Sequence, residues 1–416
     1  MSNVLSIWWG DDLAGHLRLD RYGEMQFAYV AGWLADDTRP ALSFSLPKRI
    51  EPYGRRECQG FFEGLLPEES QRIAIGRALG VSAGNDFRLL EQLGGEVAGA
   101  LTLLPDGDTL PDPFDRGPDV LDDPRLLSLL ERLPARPMLA GEGGPRLALA
   151  GAQSKLPVLV VDGRIALPGP GQPTSHILKP PIPRFEGTTE NEYYCMSLAR
   201  AIGLDVAGVA IRTIADHAFL LIERYDRRRD HEERLVRLHQ EDFAQALAFP
   251  SRRKYASEGG PTFRDGFGLV RKATTRPAGD ILKLADAAIF NLLIGNADAH
   301  AKNFSLLHVD GMVRLAPLYD LLSTVAYPDL SPKLAMKIAK KSTLEEIEPR
   351  HWDRFAEDVG IEASHLRWRV REISEASLGQ ITVAGSALDR ALPRANRFEP
   401  FANLIAGRAR RLMLKA

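Results

Sequence analysis

The chain has 416 residues, 44% of them apolar and 26% charged, and a formal net charge of −2. That length foresees two or three domains with an ample core, and the charge balance excludes a global basic field for nucleic acid. Two cysteines, Cys58 and Cys195, exclude a disulfide framework and a cysteine-built zinc site. No apolar run approaches the roughly 20 residues of a membrane helix, and residues 1–10 lack a signal-peptide pattern, so a cytoplasmic protein is expected.

Residues 4–9 (VLSIWW) and 13–19 (LAGHLRL) alternate around Gly10-Asp11-Asp12 and predict a hairpin. MQFAYV and ALSFSL add strand-like pieces. FFEGLLPEES leads into a helix carrying Ile73, Ile75, Ala78 and Leu79 and stopping at Gly80. DFRLLEQLGG predicts another helix, before the strand-like EVAGALTLLP. Residues 1–105 thus form an α/β module in which no catalytic constellation appears. The Pro-, Asp- and Gly-rich stretch 105–124 marks a boundary.

The segment 141–155 (GEGGPRLALAGAQSK) is a glycine-bearing loop feeding the strand LPVLVV, the turn Asp162-Gly163 and RIALP. It matches neither the Walker pattern nor the kinase glycine loop, yet small Ala150, Gly151 and Ala152 let backbone N–H groups approach a phosphate. SHILKPP is a short apolar strand ending at Lys179, where a kinase brings a cation to the α/β-phosphates. A lysine at a strand end is more often only that. Thr189 and Glu192 have capping-box spacing at the start of the helix EYYCMSLARAIG; a kinase would instead pair Glu192 with Lys179. VAIRTI and AFLLIERY predict a hairpin leading to Glu223, Arg224 and Tyr225, whose backbone could meet adenine. The following Arg227–Arg229 run is either a solvated face or a hold on substrate. LHQEDFAQAL reads as a helix whose Glu241 and Asp242 suit its N-terminal dipole.

The chain is organised around residues 280–320. Ile281, Ala285, Ala288, Ile289 and Leu292 recur at helical spacing up to a stop at Gly295. A polar loop, 296–303, then carries Asp298, His300, Lys302 and Asn303. FSLL and MVRL predict two strands joined at Asp310-Gly311, a tight-hairpin signal that folds Asp320 back toward Asn303. A carboxylate beside an amide oxygen suits Mg²⁺, a hard cation preferring oxygen ligands. Asp298 and Asn303 have the D-x-x-x-x-N spacing of the kinase catalytic loop, in which the Asp takes the substrate hydroxyl proton. One such pair arises easily by chance. The buried helix, loop, hairpin and second Asp together favour phosphoryl transfer. From residue 346 onward the pattern is helical, and Arg408, Arg410, Arg411 and Lys415 form a small basic cluster whose plain role is a helix C-terminus.

In order, FFEGLLPEES, DFRLLEQLGGEVAGAL, LALAGAQSKLPVL, SHILKPP, NEYYC, ERYDRR, QEDFAQAL, KYASEGGP, GNADAHAKNFSLL and LAPLYDLLS resemble the HipA family, the kinase toxins of bacterial toxin–antitoxin pairs. The resemblance implies an α+β, two-lobed fold distantly related to protein kinases, with an α/β N-terminal module and a mainly helical C-lobe. The implied divisions are the module 1–105, a linker with a short helix 106–140, an N-lobe part 141–225 and the C-lobe 226–416. It implies phosphorylation of serine or threonine with ATP and Mg²⁺, an aminoacyl-tRNA synthetase as substrate class, and growth arrest. It also implies a HipB-like helix-turn-helix antitoxin through which operator DNA is bound. By position, Asp298 would be the general base and Asn303 and Asp320 the Mg²⁺ ligands. Lys179 would meet the ATP phosphates, Glu223, Arg224 and Tyr225 adenine, and Ala150, Gly151, Ala152, Gln153, Ser154 and Lys155 would form the phosphate-proximal loop. His300, Lys302 and Tyr319 would face the nucleotide.

One position departs from the family pattern. A serine stands two residues before the alanine of A-G-A-Q in well-studied members, and its autophosphorylation ejects the loop. This chain has Ala148, which carries no hydroxyl, leaving Ser154 as an alternative acceptor. Two other readings compete: a non-catalytic co-repressor binding antitoxin and operator, and a small-molecule kinase sharing the loop logic.

Overall fold

The structure, a computed structural model, describes residues 2–142, 146–392 and 398–416. It forms two compact units: Met1–Pro180 with Glu223–Arg252 and Leu307–Val309, and Pro181–Ile222 with Arg253–Leu306 and Asp310–Ala416. The first unit therefore takes in residues 1–105, 106–140 and the front of 141–225. Gly143, Gly144 and Pro145 of the glycine-bearing loop lie outside the described residues.

In the first unit, β1 (Val4–Trp9) and β2 (Asp12–Leu19) make the expected hairpin. With β3 (Met25–Tyr29) and β4 (Leu101–Pro105) they give an antiparallel sheet of order β3-β2-β1-β4. The period of two puts Leu5, Ile7, Leu17, Phe27 and Leu103 on one buried face. Each such burial contributes about 1.5–3 kcal/mol. The unit's helices are α1 (Ala31–Ala35), α2 (Arg55–Gly64), α3 (Glu69–Leu79), α4 (Asp86–Leu93) and α5 (Asp123–Arg132). ALSFSL, expected as strand-like, forms no strand. The Tyr29 hydroxyl accepts from Leu42 N–H at 2.8 Å and donates to Leu46 C=O, taking up backbone groups that a ladder would use.

Beyond α4, β5 (Asp119–Val120), β6 (Leu156–Val161), β7 (Arg164–Leu167) and β8 (His176–Lys179) pair antiparallel in the order β5-β7-β6-β8. The later part of this unit carries β11 (Arg227–Arg229), β12 (Leu235–Arg237), β13 (Gln240–Asp242) and α7 (Phe243–Ala246). Of the helix expected over LHQEDFAQAL only Phe243–Ala246 forms, and Gln240–Asp242 are strand. Asp242 is the N-cap, boxed with Gln245, so the residues before it are extended. Glu241 turns into the core instead, accepting from the Ser43 hydroxyl and from Phe44 N–H at 2.9 Å.

The second unit contains α6 (Thr188–Ala201), the hairpin β9 (Val209–Ile214) and β10 (His217–Glu223), α8 (Phe263–Ala273), α9 (Pro277–Ile294), α10 (Pro349–Val359), α11 (Ala363–Ala391) and α12 (Glu399–Leu414). Strands β14 (Ser305–Val309) and β15 (Met312–Leu315) follow α9. Nearly every residue of α9 from Leu284 to Ile294 is buried, packed by α8, α11 and α12. A helix apolar all round belongs in a core, and this one carries the candidate loop at its end.

Two expectations are corrected in this unit. Helix α6 begins at Thr188 behind Gly187, with no side-chain cap, so Thr189 and Glu192 lie inside it, both buried. The Thr188 hydroxyl meanwhile holds Ile182 N–H at 3.0 Å, fixing how the chain enters the helix. The basic cluster, expected to serve its own helix C-terminus, instead reaches other segments. Arg408 donates to Leu292 and Leu293 carbonyls, Arg411 pairs with Glu345, and Lys415 donates to three carbonyls at Leu344, Glu345 and Ile347. Among the described residues no helix is long and apolar enough to cross a membrane.

Candidate active site

Helix α9 ends in a Schellman closure, with Gly295 N–H on Leu292 C=O at 3.2 Å and Asn296 N–H on Asn291 C=O at 2.9 Å. Gly295 has φ 75°, and a Cβ there would meet the Val325 methyl at 2.3 Å, so both conformation and space demand glycine. Arg408 adds donors to this end, Nη2 to Leu292 C=O at 2.7 Å and Nε to Leu293 C=O at 3.1 Å. A cation at the negative end of a helix is stabilising.

The loop that follows is held by neutral polar groups. Asn296 donates to Asn291 Oδ1 at 2.9 Å and to Asp320 C=O at 3.1 Å, while its Oδ1 accepts from Asp298 N–H at 3.2 Å. Thr324 Oγ1 accepts from Ala297 N–H at 2.7 Å and donates to Gly295 C=O at 3.1 Å. Asn191 of α6 accepts from Ser323 N–H at 2.8 Å and donates to Ser323 C=O at 3.0 Å, fixing the segment just past Asp320. Asn303 is clasped by His300, whose N–H reaches Asn303 Oδ1 at 3.1 Å.

The chain reverses at Asp310-Gly311, where φ is 50° and 71°, and Ala316 N–H returns to Ser305 C=O at 2.8 Å. The reversal brings the distant carboxylate home: Asn303 Nδ2 donates to Asp320 Oδ2 at 2.7 Å. Asp320 sits at φ 58°, a left-handed conformation that an aspartate tolerates and that concentrates at functional sites. Tyr319 Oη donates to Lys302 C=O at 2.7 Å and lies 2.8 Å from Ser305 Oγ, so Lys302 and Tyr319 brace the same corner. Asp298 is exposed, its Oδ1 accepting from the Tyr255 hydroxyl at 2.8 Å. The Tyr255 and His300 rings meet edge to face at 5.3 Å. Asp298, His300, Lys302, Asn303, Tyr319 and Asp320 are therefore brought together in the second unit. The atom Asn303 turns to Asp320 is its amide nitrogen, while its Oδ1 takes His300 N–H. The carboxylate and the amide oxygen in this corner are hard donors of the kind Mg²⁺ takes, and the amide would have to turn its oxygen inward to join Asp320 in holding the ion.

The other candidates belong to the first unit. Gly151 C=O accepts from Glu68 N–H at 3.1 Å, and Lys155 Nζ folds back onto Ala150 C=O at 2.6 Å. Ser154 Oγ donates to Gln71 Oε1 at 3.3 Å, and Gln153 Nε2 to Pro180 C=O at 3.4 Å, which sets Ala152 and its neighbours beside the end of Lys179's strand. Ala148 is fully buried, its N–H on Glu96 C=O at 2.8 Å. The helix after FFEGLLPEES thus supports the loop, a role the sequence reading did not give that module.

The segment of Glu223, Arg224 and Tyr225 differs from expectation at Arg224. Its N–H donates to Ser175 C=O at 3.0 Å, so that donor is not left for adenine, and its C=O already accepts from Arg227 N–H at 3.2 Å. Across the trans peptide, the Glu223 carbonyl points the opposite way and keeps that possibility. The Arg224 guanidinium is buried against Glu96 at 2.9 Å and Asp226 at 2.8 Å. Arg227 joins both, at 3.1 Å and 3.0 Å, and so takes neither role expected of its run, a solvated face or a hold on substrate. Burial raises Glu96 and Asp226, but the arginines outweigh it: Glu96 is held at about 2 and Asp226 lower still. Burial and neighbouring Arg224 in turn bring Arg227 down to about 10.

Sequence reasoning assigned no role to Tyr255, Asn191, Asn296 or Glu96. Tyr255 and Asn191 lie in KYASEGGP and NEYYC, stretches quoted for the resemblance, which was the available signal.

This is the geometry of a two-lobed, distantly protein-kinase-like α+β protein. Residues 147–381 match the HipA-like C-terminal domain and residues 5–104 the HipA N-terminal domain. The chain belongs to the HipA family. It is 53% identical to a Sinorhizobium fredii protein named "Putative kinase Y4mE", over 99% of both chains. It is 32% identical to the serine/threonine-protein kinase toxin HipA of Shewanella oneidensis, over 72% of this chain and 71% of that one. The solved Shewanella oneidensis complex of HipA, HipB and operator DNA matches with a TM-score of 0.83 and 28% identity, covering 99% of this chain and 96% of that one.

Proposed function

We propose that this chain is an ATP- and Mg²⁺-dependent serine/threonine protein kinase that acts as a growth-arresting toxin in the cytoplasm. The observation that carries this reading is the contact of Asn303 with Asp320 at 2.7 Å, with exposed Asp298 on the same loop. Bound Mg²⁺–ATP supplies the transferable phosphoryl group and neutralises its charge. Asp298 takes the proton of the incoming hydroxyl, and the Tyr255 hydroxyl orients its carboxylate. Asn303 and Asp320 present oxygen ligands, and the Lys179 ammonium and the N–H groups of 150–155 receive phosphate oxygens. The Glu223 carbonyl and Tyr225 take adenine.

A HipB-like helix-turn-helix antitoxin neutralises the toxin and carries it to operator DNA, as suits the relative solved with HipB and its operator. An aminoacyl-tRNA synthetase is the proposed substrate class. Ala148 offers no hydroxyl at the position of the family's loop serine, which leaves Ser154 as the alternative acceptor for self-silencing. The test is to incubate the purified chain with labelled ATP, Mg²⁺ and a cell lysate and identify the labelled protein by mass spectrometry. One dominant labelled synthetase is expected; no transfer to any protein, with nucleotide binding intact, would overturn the reading in favour of a non-catalytic co-repressor.

A further inference from the structure

A cavity of about 510 Å³ opens in the first unit and contains none of the candidate catalytic residues. Its size lies within the range of small-molecule sites. Glu96, Asp108, Thr109, Arg146, Leu147 and Arg237 are on its wall, with Leu104 and several prolines giving it an apolar side.

The charges around it do not cancel. Among the described residues Arg146, Arg224, Arg227 and Arg237 face Glu96, Asp226 and Asp108, and Glu91, which also faces Arg146, is already paired with Arg88 at 3.0 Å. Glu96 is already saturated: Oε1 takes Arg224, Arg227 and the Thr174 hydroxyl, and Oε2 takes Thr174 N–H at 3.2 Å. Asp226 is likewise held by Arg224, Arg227 and Gly99 N–H at 2.7 Å. Arg237 is the guanidinium held most loosely. Its three bonds are long, to Glu96 at 3.3 Å, Thr102 at 3.3 Å and Gly171 C=O at 3.2 Å, and its buried Nε has no partner among the described residues. Arg146 spends Nε and Nη2 on the neutral carbonyls of Gln92, Leu90, Glu91 and Leu103, and burial holds its pKa below the usual arginine value. Asp108, the remaining carboxylate of the wall, is exposed and screened by water.

We infer that this cavity binds a small organic oxyanion, a carboxylate or a phosphate ester, with its charged end toward Arg237 and Arg146 and an apolar body against the opposite wall. Guanidinium forks recognise both oxyanions in plane. The site also lies at the root of the phosphate-proximal loop. Leu147 is part of the wall, Ala148 N–H is bonded to the Glu96 backbone at 2.8 Å, and Ala150 begins the loop two residues on. An occupant therefore steadies the strand of chain from which that loop springs.

The experiment is calorimetric titration of the full chain with phenyl phosphate, benzoate and, as a neutral control, benzyl alcohol. Saturable one-to-one binding of at least one oxyanion is expected, and the tighter of the two identifies the headgroup. Thr109→Trp, which fills the cavity from its exposed wall without touching the buried ion cluster, should weaken binding at least tenfold. Arg237→Gln should do the same, and Asp320→Ala should leave it unchanged. Absence of saturable binding by either oxyanion, equal binding of benzyl alcohol, indifference to Thr109→Trp, or loss of binding in Asp320→Ala would each overturn the proposal.

Discussion

Glu96 and Asp226 in the first unit are closed off from water and ringed by guanidiniums, whereas Asp298 in the second stands exposed with a tyrosine hydroxyl on one oxygen. The difference separates carboxylates that hold structure from the one proposed as the general base. A carboxylate fixed in its charged form by three arginines accepts no proton near neutrality. One that stands at the surface, with a tyrosine hydroxyl on one oxygen, is within reach of an incoming substrate hydroxyl. The neutral amides around Asp298 position it without adding charge of their own.

The strongest way to break the comparison is at Glu96. Glu96→Gln leaves Arg224, Arg227 and Arg237 facing one another with a single carboxylate, and should destabilise the chain by about 3–5 kcal/mol in chemical denaturation. Its pH dependence has a definite sign. The folded pKa of about 2 lies below the ordinary 4.5, so the stabilisation is complete above 4.5 and is lost as pH falls toward 2. The gap between wild type and Glu96→Gln should therefore narrow over that window; a constant gap would contradict the ionic account.

Next in size is the cover over α9. Arg408→Gln uncovers two buried-end carbonyls and should cost about 1–2 kcal/mol. Turnover should fall while nucleotide affinity stays within about twofold, because the loop position shifts and the ligand set does not. Equal losses in both would mean that Arg408 supports the unit as a whole rather than the loop.

The smallest effect is expected at Glu241, a buried carboxylate held by a hydroxyl and a backbone N–H. Burial, opposed by the Ser43 hydroxyl and Phe44 N–H, pushes it up to about 7. A folded pKa raised above 4.5 means stability lost as pH rises through 7. Glu241→Gln should therefore match wild type within about 1 kcal/mol at pH 5, since both side chains are neutral there, and should gain on it between pH 5 and 8. Thermal melts across that range give the answer.

How far the sequence was legible follows from the same physics. Helix α9, its Gly295 stop and the Asp310-Gly311 turn are local signals, written in apolar spacing and in residues that accept positive φ. The approach of Asp320 to Asn303 followed from them. Glu241 and Thr189 misled because acid at a helix start and T-x-x-E spacing are common coincidences. Asp242 and Gly187 decided those termini. The burial of Arg224 and Arg227 was invisible, because their partner Glu96 lies more than a hundred residues earlier and pairs with them only in the folded unit. Tyr255 reached Asp298 across 43 residues by the same kind of tertiary accident.

The most direct test of the central claim is Asp298→Asn, assayed for phosphoryl transfer and, separately, for ATP binding with Mg²⁺. Asparagine keeps the shape and the contact with Tyr255 but cannot take a proton. The account predicts that transfer falls by roughly 10²–10⁴-fold while nucleotide affinity changes less than about twofold. Full turnover in Asp298→Asn would contradict it.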